Sequence, residues 1–216
     1  MDGAPASATA VSALRRFASR AVTREEVCDL CGVRVGGEHQ HLVDPVKRRL
    51  MCACDACAIL FDNANGTFTR VPRTIRRLPG AAFGPRQWDA LSIPIGVAFF
   101  FVSSPQERVV AMYPSPAGAT ESLLPLTTWD ELVPQGSPVR ALKPDVEALL
   151  VNRLRELPSA ECRDYLVPID LCYRLVGIIR AEWRGFSGGA EAWDAIDRFY
   201  AYLDAHAEDA TEAAGA

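Results

Sequence analysis

The sequence predicts an α+β protein in two parts: a small cysteine-bearing module, then a larger domain whose strands precede its helices. Three observations carry this. Five of the seven cysteines fall between Cys28 and Cys57. The apolar run "IPIGVAFFFV" (93–102) and the segment "RVVAMY" (108–113) read as two strands joined by the turn "PQER". Beyond Trp129 the apolar residues recur at helical spacing. A chain of 216 residues, 49% of them hydrophobic, suffices for a medium domain beside a small module and can bury an ordinary core.

In chain order, residues 1–24 are Ala-rich, with only a weak helical stripe of Val11, Leu14 and Phe17, and read as a flexible lead-in. The cysteine module spans 25–68. Residues 69–90 carry prolines at 72, 79 and 85 and several arginines, the pattern of a linker. The α+β domain follows at 91–206. It opens on the strand around 93–103 and its hairpin partner, after which "PSPAGATES" reads as a loop. Pro144 suits a first helical position, and Val146, Leu149, Leu150, Leu154 and Leu157 then form a helical stripe. "YLVPI" is a short strand. A helix over 170–183 places Cys172, Leu175, Val176, Ile179 and Trp183 on one face and ends near Gly185. A last helix turns Trp193, Ile196, Tyr200 and Leu203 inward, and 207–216 reads as a disordered tail.

Cys28-x-x-Cys31 and Cys54-x-x-Cys57 have the pairing a tetrahedral metal site needs. Each short turn lets two sulfurs face one ion, and residues 32–53 between the pairs give nearly zinc-ribbon spacing. "HQHLV", "DPVK" and "RRLMC" read as a β-hairpin between them. Pairing Val43 with Arg48 sets His41 opposite Leu50 and His39 opposite Cys52, with both histidines and Cys52 on one face. Three readings fit. The preferred one is a structural four-cysteine zinc site in a zinc-ribbon fold. The same thiolates would hold iron in a rubredoxin-like electron carrier. Alternatively Cys52, with His39 or His41, acts as an additional ligand or a redox thiol.

Other features invite functions. Lys47, Arg48, Arg49, Arg70, Arg73, Arg76, Arg77 and Arg86 could form a phosphate-contacting strip, making the chain a nucleic-acid-binding zinc-ribbon protein. No aromatic residue is interleaved for base stacking, and the net charge is −4, so a solvated basic linker docking on acidic surface is favoured. Trp183 and Phe186 offer a partner surface, with core packing as the plainer reading. Cys172 sits on an apolar helix face and reads as an inert buried thiol. A His-Asn-His-type nuclease would need further metal-binding residues downstream, where His206 is the only histidine left. No Ser-His-Asp set, carboxylate pair or cofactor fingerprint is present, so a non-enzyme is expected. Clustered cysteines without a secretory leader point to a reducing, cytoplasmic setting, and the longest apolar run is too short to span a bilayer.

The segments "CDLCG", "HQHLVD", "CACDACAILF", "IPIGVAFFFVSS", "YPSPAGATES", "DVEALLVNR" and "LVPIDLCYRLVGIIRAEWRGFSGG" together resemble an uncharacterised bacterial family encoded beside nickel–iron hydrogenase genes. The resemblance spans residues 25–203. It implies an accessory role, in maturation, assembly or electron transfer, with a hydrogenase or its maturation machinery as partner. The expectation is a metal-binding accessory protein with zinc, or alternatively iron, at Cys28, Cys31, Cys54 and Cys57.

Overall fold

The computed structural model describes residues 26–62, 66–115, 117–122, 129, 133–154, 163–185 and 187–210. The lead-in expected at 1–24 lies outside them, as do Leu157, Cys162 and Phe186. The module begins with the first cysteine pair. The hairpin β1 (Gln40–Asp44) and β2 (Arg49–Ala53), the short helix α1 (Asp55–Phe61) and β3 (Thr69–Arg70) follow, in a three-stranded sheet of order β2-β1-β3.

A seven-stranded sheet forms the larger part, ordered β10-β4-β9-β8-β5-β6-β7. Its strands are β4 (Ile75–Arg77), β5 (Val97–Ser103), β6 (Arg108–Ser115), β7 (Gly118–Glu121), β8 (Glu147–Asn152), β9 (Tyr165–Pro168) and β10 (Ala207–Asp209). Every pairing is antiparallel except β10 with β4. Helix α2 (Pro85–Ala90) precedes β5, and α3 (Ile169–Glu182) and α4 (Ala190–His206) follow β9.

The sheet is buried on both faces, and the alternation of side chains along each strand divides two cores. Val97, Phe99 and Phe101 of β5 and Ala148 and Leu150 of β8 face α3 and α4, against Cys172, Leu175, Ile179, Ile196 and Leu203. Ala98, Phe100, Leu149 and Val151 face the other way, onto Phe83, Leu91, Val133, Val139 and Leu142. The helices over 169–182 and 190–206 bury the faces their periodicity predicts, and Cys172 is fully buried.

Four sequence expectations are corrected. Residues 147–152 form a central strand, where a helix was expected. A strand buried on both faces reads as an unbroken apolar run, which periodicity cannot separate from a buried helix. The turn from Pro144 also fails to propagate, because Asp145 takes a left-handed backbone (φ 65°).

The segment 69–90 is built into both sheets. Thr69–Arg70 pairs with β1, and Ile75–Arg77 lies between β9 and β10. Its charges hide the strand in the sequence: Arg76 pairs with the buried Glu147 at 3.2 Å and Arg77 with Asp209 at 2.7 Å. Residues 118–121 of the expected loop form β7, which turns back onto β6 through Ser115–Gly118. Finally, 207–209 of the expected tail form β10.

Asp164 joins several of these segments. It is fully buried, and Arg153 donates to its two oxygens at 2.6 and 2.8 Å. The backbone N–H of Ala82 also donates to it, at 2.7 Å. Removing one partner of such a buried pair strands the other charge, so Asp164→Ala is expected to cost about 3–5 kcal/mol in urea denaturation. A loss below about 1 kcal/mol would show that the pair contributes little to the fold.

Candidate metal centre

The first cysteine pair sits in a tight turn. Gly32 N–H donates to Cys28 O at 2.8 Å, and Gly32 has φ 75°, a conformation glycine adopts without Cβ strain. The turn is fixed to the hairpin by Asp29, whose N–H donates to Cys52 O at 2.8 Å and whose carboxylate accepts from Cys52 N–H at 2.7 Å. The second pair opens α1. Cys54 is its N-cap, and its sulfur accepts from Cys57 N–H at 3.5 Å. A helical first turn therefore does at 54–57 what a loop turn does at 28–31.

One sulfur from each of Cys28, Cys31, Cys54 and Cys57 lies within 4.8 Å of the others. A metal bound by four tetrahedral thiolates at about 2.3 Å needs sulfur–sulfur edges of about 3.8 Å. Cys31 Sγ and Cys54 Sγ are 3.8 Å apart. That is far beyond the roughly 2.05 Å of a disulfide, and all four are free thiols. Cys28 and Cys57 are buried with Leu42, Met51, Ala53 and Ala58, which form the module's own small core.

The thiols are electrostatically unequal. Burial works against ionising Cys28, but the backbone N–H groups of Cys54, Cys31 and Leu30 outweigh it and hold the thiol down at about 6. Cys57 is pushed up to about 12, first by burial and then by the sulfurs of Cys31, Cys54 and Cys28. The cluster thus favours an early thiolate at Cys28 and resists ionisation of Cys31 and Cys57. A divalent cation relieves that resistance.

The hairpin register differs from the sequence expectation. Asp44 pairs with Arg49, and His41, in place of His39, lies opposite Cys52. The buried Asp44 sets the turn by accepting from Lys47 N–H at 3.0 Å, and Arg48 closes it in a left-handed conformation (φ 48°). The turn therefore closes one residue later on the second strand than expected.

Moving each partner by two residues preserves which side chains share a face. Leu42, Met51 and Ala53 face the module core. His41 and Cys52 alternate to the other face with Val43, which packs into the core of the larger domain. Cys52 is accordingly the cysteine outside the four-sulfur group, and it stands in a separate group with His39 and His41, one ligand atom of each within 4.8 Å of the others. Its thiol is pushed up by burial and then by the carboxylates of Asp29 and Glu26, opposite to what a reactive redox thiol requires.

His41 reaches across to the larger domain. Its Nδ1 donates to Asp170 Oδ2 at 2.7 Å, in the first turn of α3. Sequence reasoning missed Asp170, because 129 positions separate the partners and no local signal marks the carboxylate. It also passed over Ile59 and Leu60, apolar side chains of α1 that are 71% and 70% exposed.

Among the described residues, five of the eight cations of the basic strip pair with this chain's own carboxylates. Lys47 pairs with Asp44, Arg48 with Glu121 and Arg49 with Asp29, besides the pairs of Arg76 and Arg77. Trp183 is partly buried against the larger core, its ring 5.9 Å from that of Trp193.

Fold and site together define an α+β protein whose four clustered cysteines are placed as a metal would need them. The chain belongs to the family of unknown function DUF5947, which matches residues 27–207, from the first cysteine turn to the last strand of the larger sheet. No curated protein and no solved structure matches it. No helix among the described residues is long and apolar enough to cross a membrane.

Thiols must lose their protons to bind a metal, and Cys31 and Cys57 are held up, so binding releases protons and weakens as pH falls. Competition of the protein with a chromophoric chelator is expected to show zinc affinity at least about ten-fold lower at pH 6 than at pH 8. Equal affinities would mean that the thiols are not the ligands.

Proposed function

We propose that this protein is a metal-binding accessory or assembly factor in which Cys28, Cys31, Cys54 and Cys57 hold a structural zinc ion. The observation that carries the reading is the convergence of four free sulfurs within 4.8 Å, with an edge of tetrathiolate length. Four thiolates saturate a tetrahedral ion and leave no position for substrate, so the centre staples the module and is not itself catalytic. The hairpin, the first turn and α1 share only a handful of buried apolar residues around the sulfurs, so a cross-link there would add to what holds them together.

The partner reading rests on two supports. The resemblance across residues 25–203 points to a nickel–iron hydrogenase or its maturation machinery. In addition, Ile59 and Leu60 project from the helix that carries the second cysteine pair, so the metal would fix an apolar surface suited to a protein partner. The ion pairs of the basic strip favour this over nucleic-acid binding, since cations already matched within the chain release few counterions on a phosphate backbone.

Metal analysis tests the assignment. Purified protein is expected to carry zinc without visible colour, and Cys54→Ser to lower zinc content and thermal stability together. Iron with strong visible absorption would establish the rubredoxin-like electron carrier instead. Deleting the gene is expected to lower hydrogenase activity several-fold while hydrogenase subunit levels hold. Unchanged activity would reject the hydrogenase partnership but leave the zinc assignment standing.

A further inference from the structure

Beyond the four-sulfur centre, the junction of the two parts holds a second set of groups arranged as metal ligands are arranged. The ring of His39 is inside the protein, its side chain only 7% exposed. Its Nδ1 lies 2.7 Å from Gly36 O. A carbonyl oxygen only accepts, so Nδ1 carries the proton, and in the neutral ring Nε2 then carries the lone pair. That Nε2 is buried and has no hydrogen-bond partner among the described residues. An imidazole nitrogen so placed needs either a proton donor or a cation.

His41 repeats the pattern. Its Nδ1 proton is committed to Asp170 Oδ2 at 2.7 Å, which in the neutral ring leaves its Nε2 as a lone pair as well. Carboxylate and carbonyl partners on the far nitrogen are how metal-binding histidines are oriented and made more basic. Cys52 completes the group, directly opposite His41 in the hairpin.

We infer that His39, His41 and Cys52 form a second metal site, taking a borderline-soft divalent ion of the zinc and cobalt class through the two Nε2 atoms and the Cys52 sulfur. Two imidazoles and a thiolate suit such an ion, and three protein ligands leave a fourth tetrahedral position for water or a small ligand. Both histidines line a cleft of about 900 Å³ between the module and helices α3 and α4. Binding replaces the Cys52 S–H bond by a sulfur–metal bond and releases the proton to solvent. The resulting single positive charge is offset by Asp170 and by Glu26, whose carboxylate lies 3.5 Å from His39 Nδ1. Because Asp170 belongs to α3, the ion would couple the module to the larger domain, which the four-sulfur centre cannot do.

Titrating the metal-free full chain with Co²⁺ under anaerobic conditions tests this. Two equivalents are expected to bind, the tetrathiolate spectrum saturating with one of them and a weaker sulfur-to-cobalt band following the other. Cys52→Ser and His41→Ala should each remove the second equivalent alone, with unchanged circular dichroism. Asp170→Asn keeps the second equivalent but should weaken it about 10–100-fold, the usual cost of losing a carboxylate behind a ligating histidine. One equivalent only in the wild type, or a second that survives both Cys52→Ser and His41→Ala, overturns the inference. Failure of the four-sulfur assignment looks different: the tetrathiolate spectrum would survive Cys54→Ser whatever becomes of the second equivalent.

Discussion

Four sulfurs drawn within 4.8 Å of one another are the constraint on which the amino-terminal part depends. Two arrive in a turn closed by Gly32, and two arrive on the first turn of α1. The hairpin brings these places together, with Asp29 fixing the first turn to Cys52. Without a cation the same cluster works against itself: Cys28 ionises early, and Cys31 and Cys57 are pushed up. The geometry that makes the site fit for a metal makes it a poor resting place for free thiols, so metal binding there would be linked to folding of the module.

The module does not hang from a linker. Val43 and Val71 enter the core of the larger domain, β4 lies in its sheet, and His41 bonds to Asp170 on α3. The alternation of side chains along β1 and β2 divides the labour. One face builds the core around the sulfurs, and the other presents His41 and Cys52 to the junction. An exposed apolar helix face at Ile59 and Leu60 then lies on the helix of the second cysteine pair, and an imidazole-lined cleft lies at the junction. This is an arrangement suited to docking and metal handling, and it uses most of the basic strip for internal ion pairs.

Much of the candidate site was legible because its signals are local. The two CxxC pairs stand out by spacing alone, and Cys52 was already the odd one out. The register was not legible, because the turn is decided by a buried Asp44 and a left-handed Arg48 that pattern rules do not foresee. Since the error was an even number of residues, the shared face of His39, His41 and Cys52 survived it. The helices α3 and α4 were readable because each buries one stripe. Strand β8 was not, since burial on both faces erases the alternation that marks a strand. Asp170 and the β4–β9 pairing are products of tertiary packing between distant segments and leave no local trace.

The central claim is that the four clustered cysteines, and not the neighbouring imidazoles, take the first metal ion. X-ray absorption at the zinc edge of protein loaded with a single equivalent tests it most directly. A first shell of four sulfurs at about 2.3 Å is the expected result. A shell dominated by nitrogen or oxygen at about 2.0–2.1 Å would contradict it.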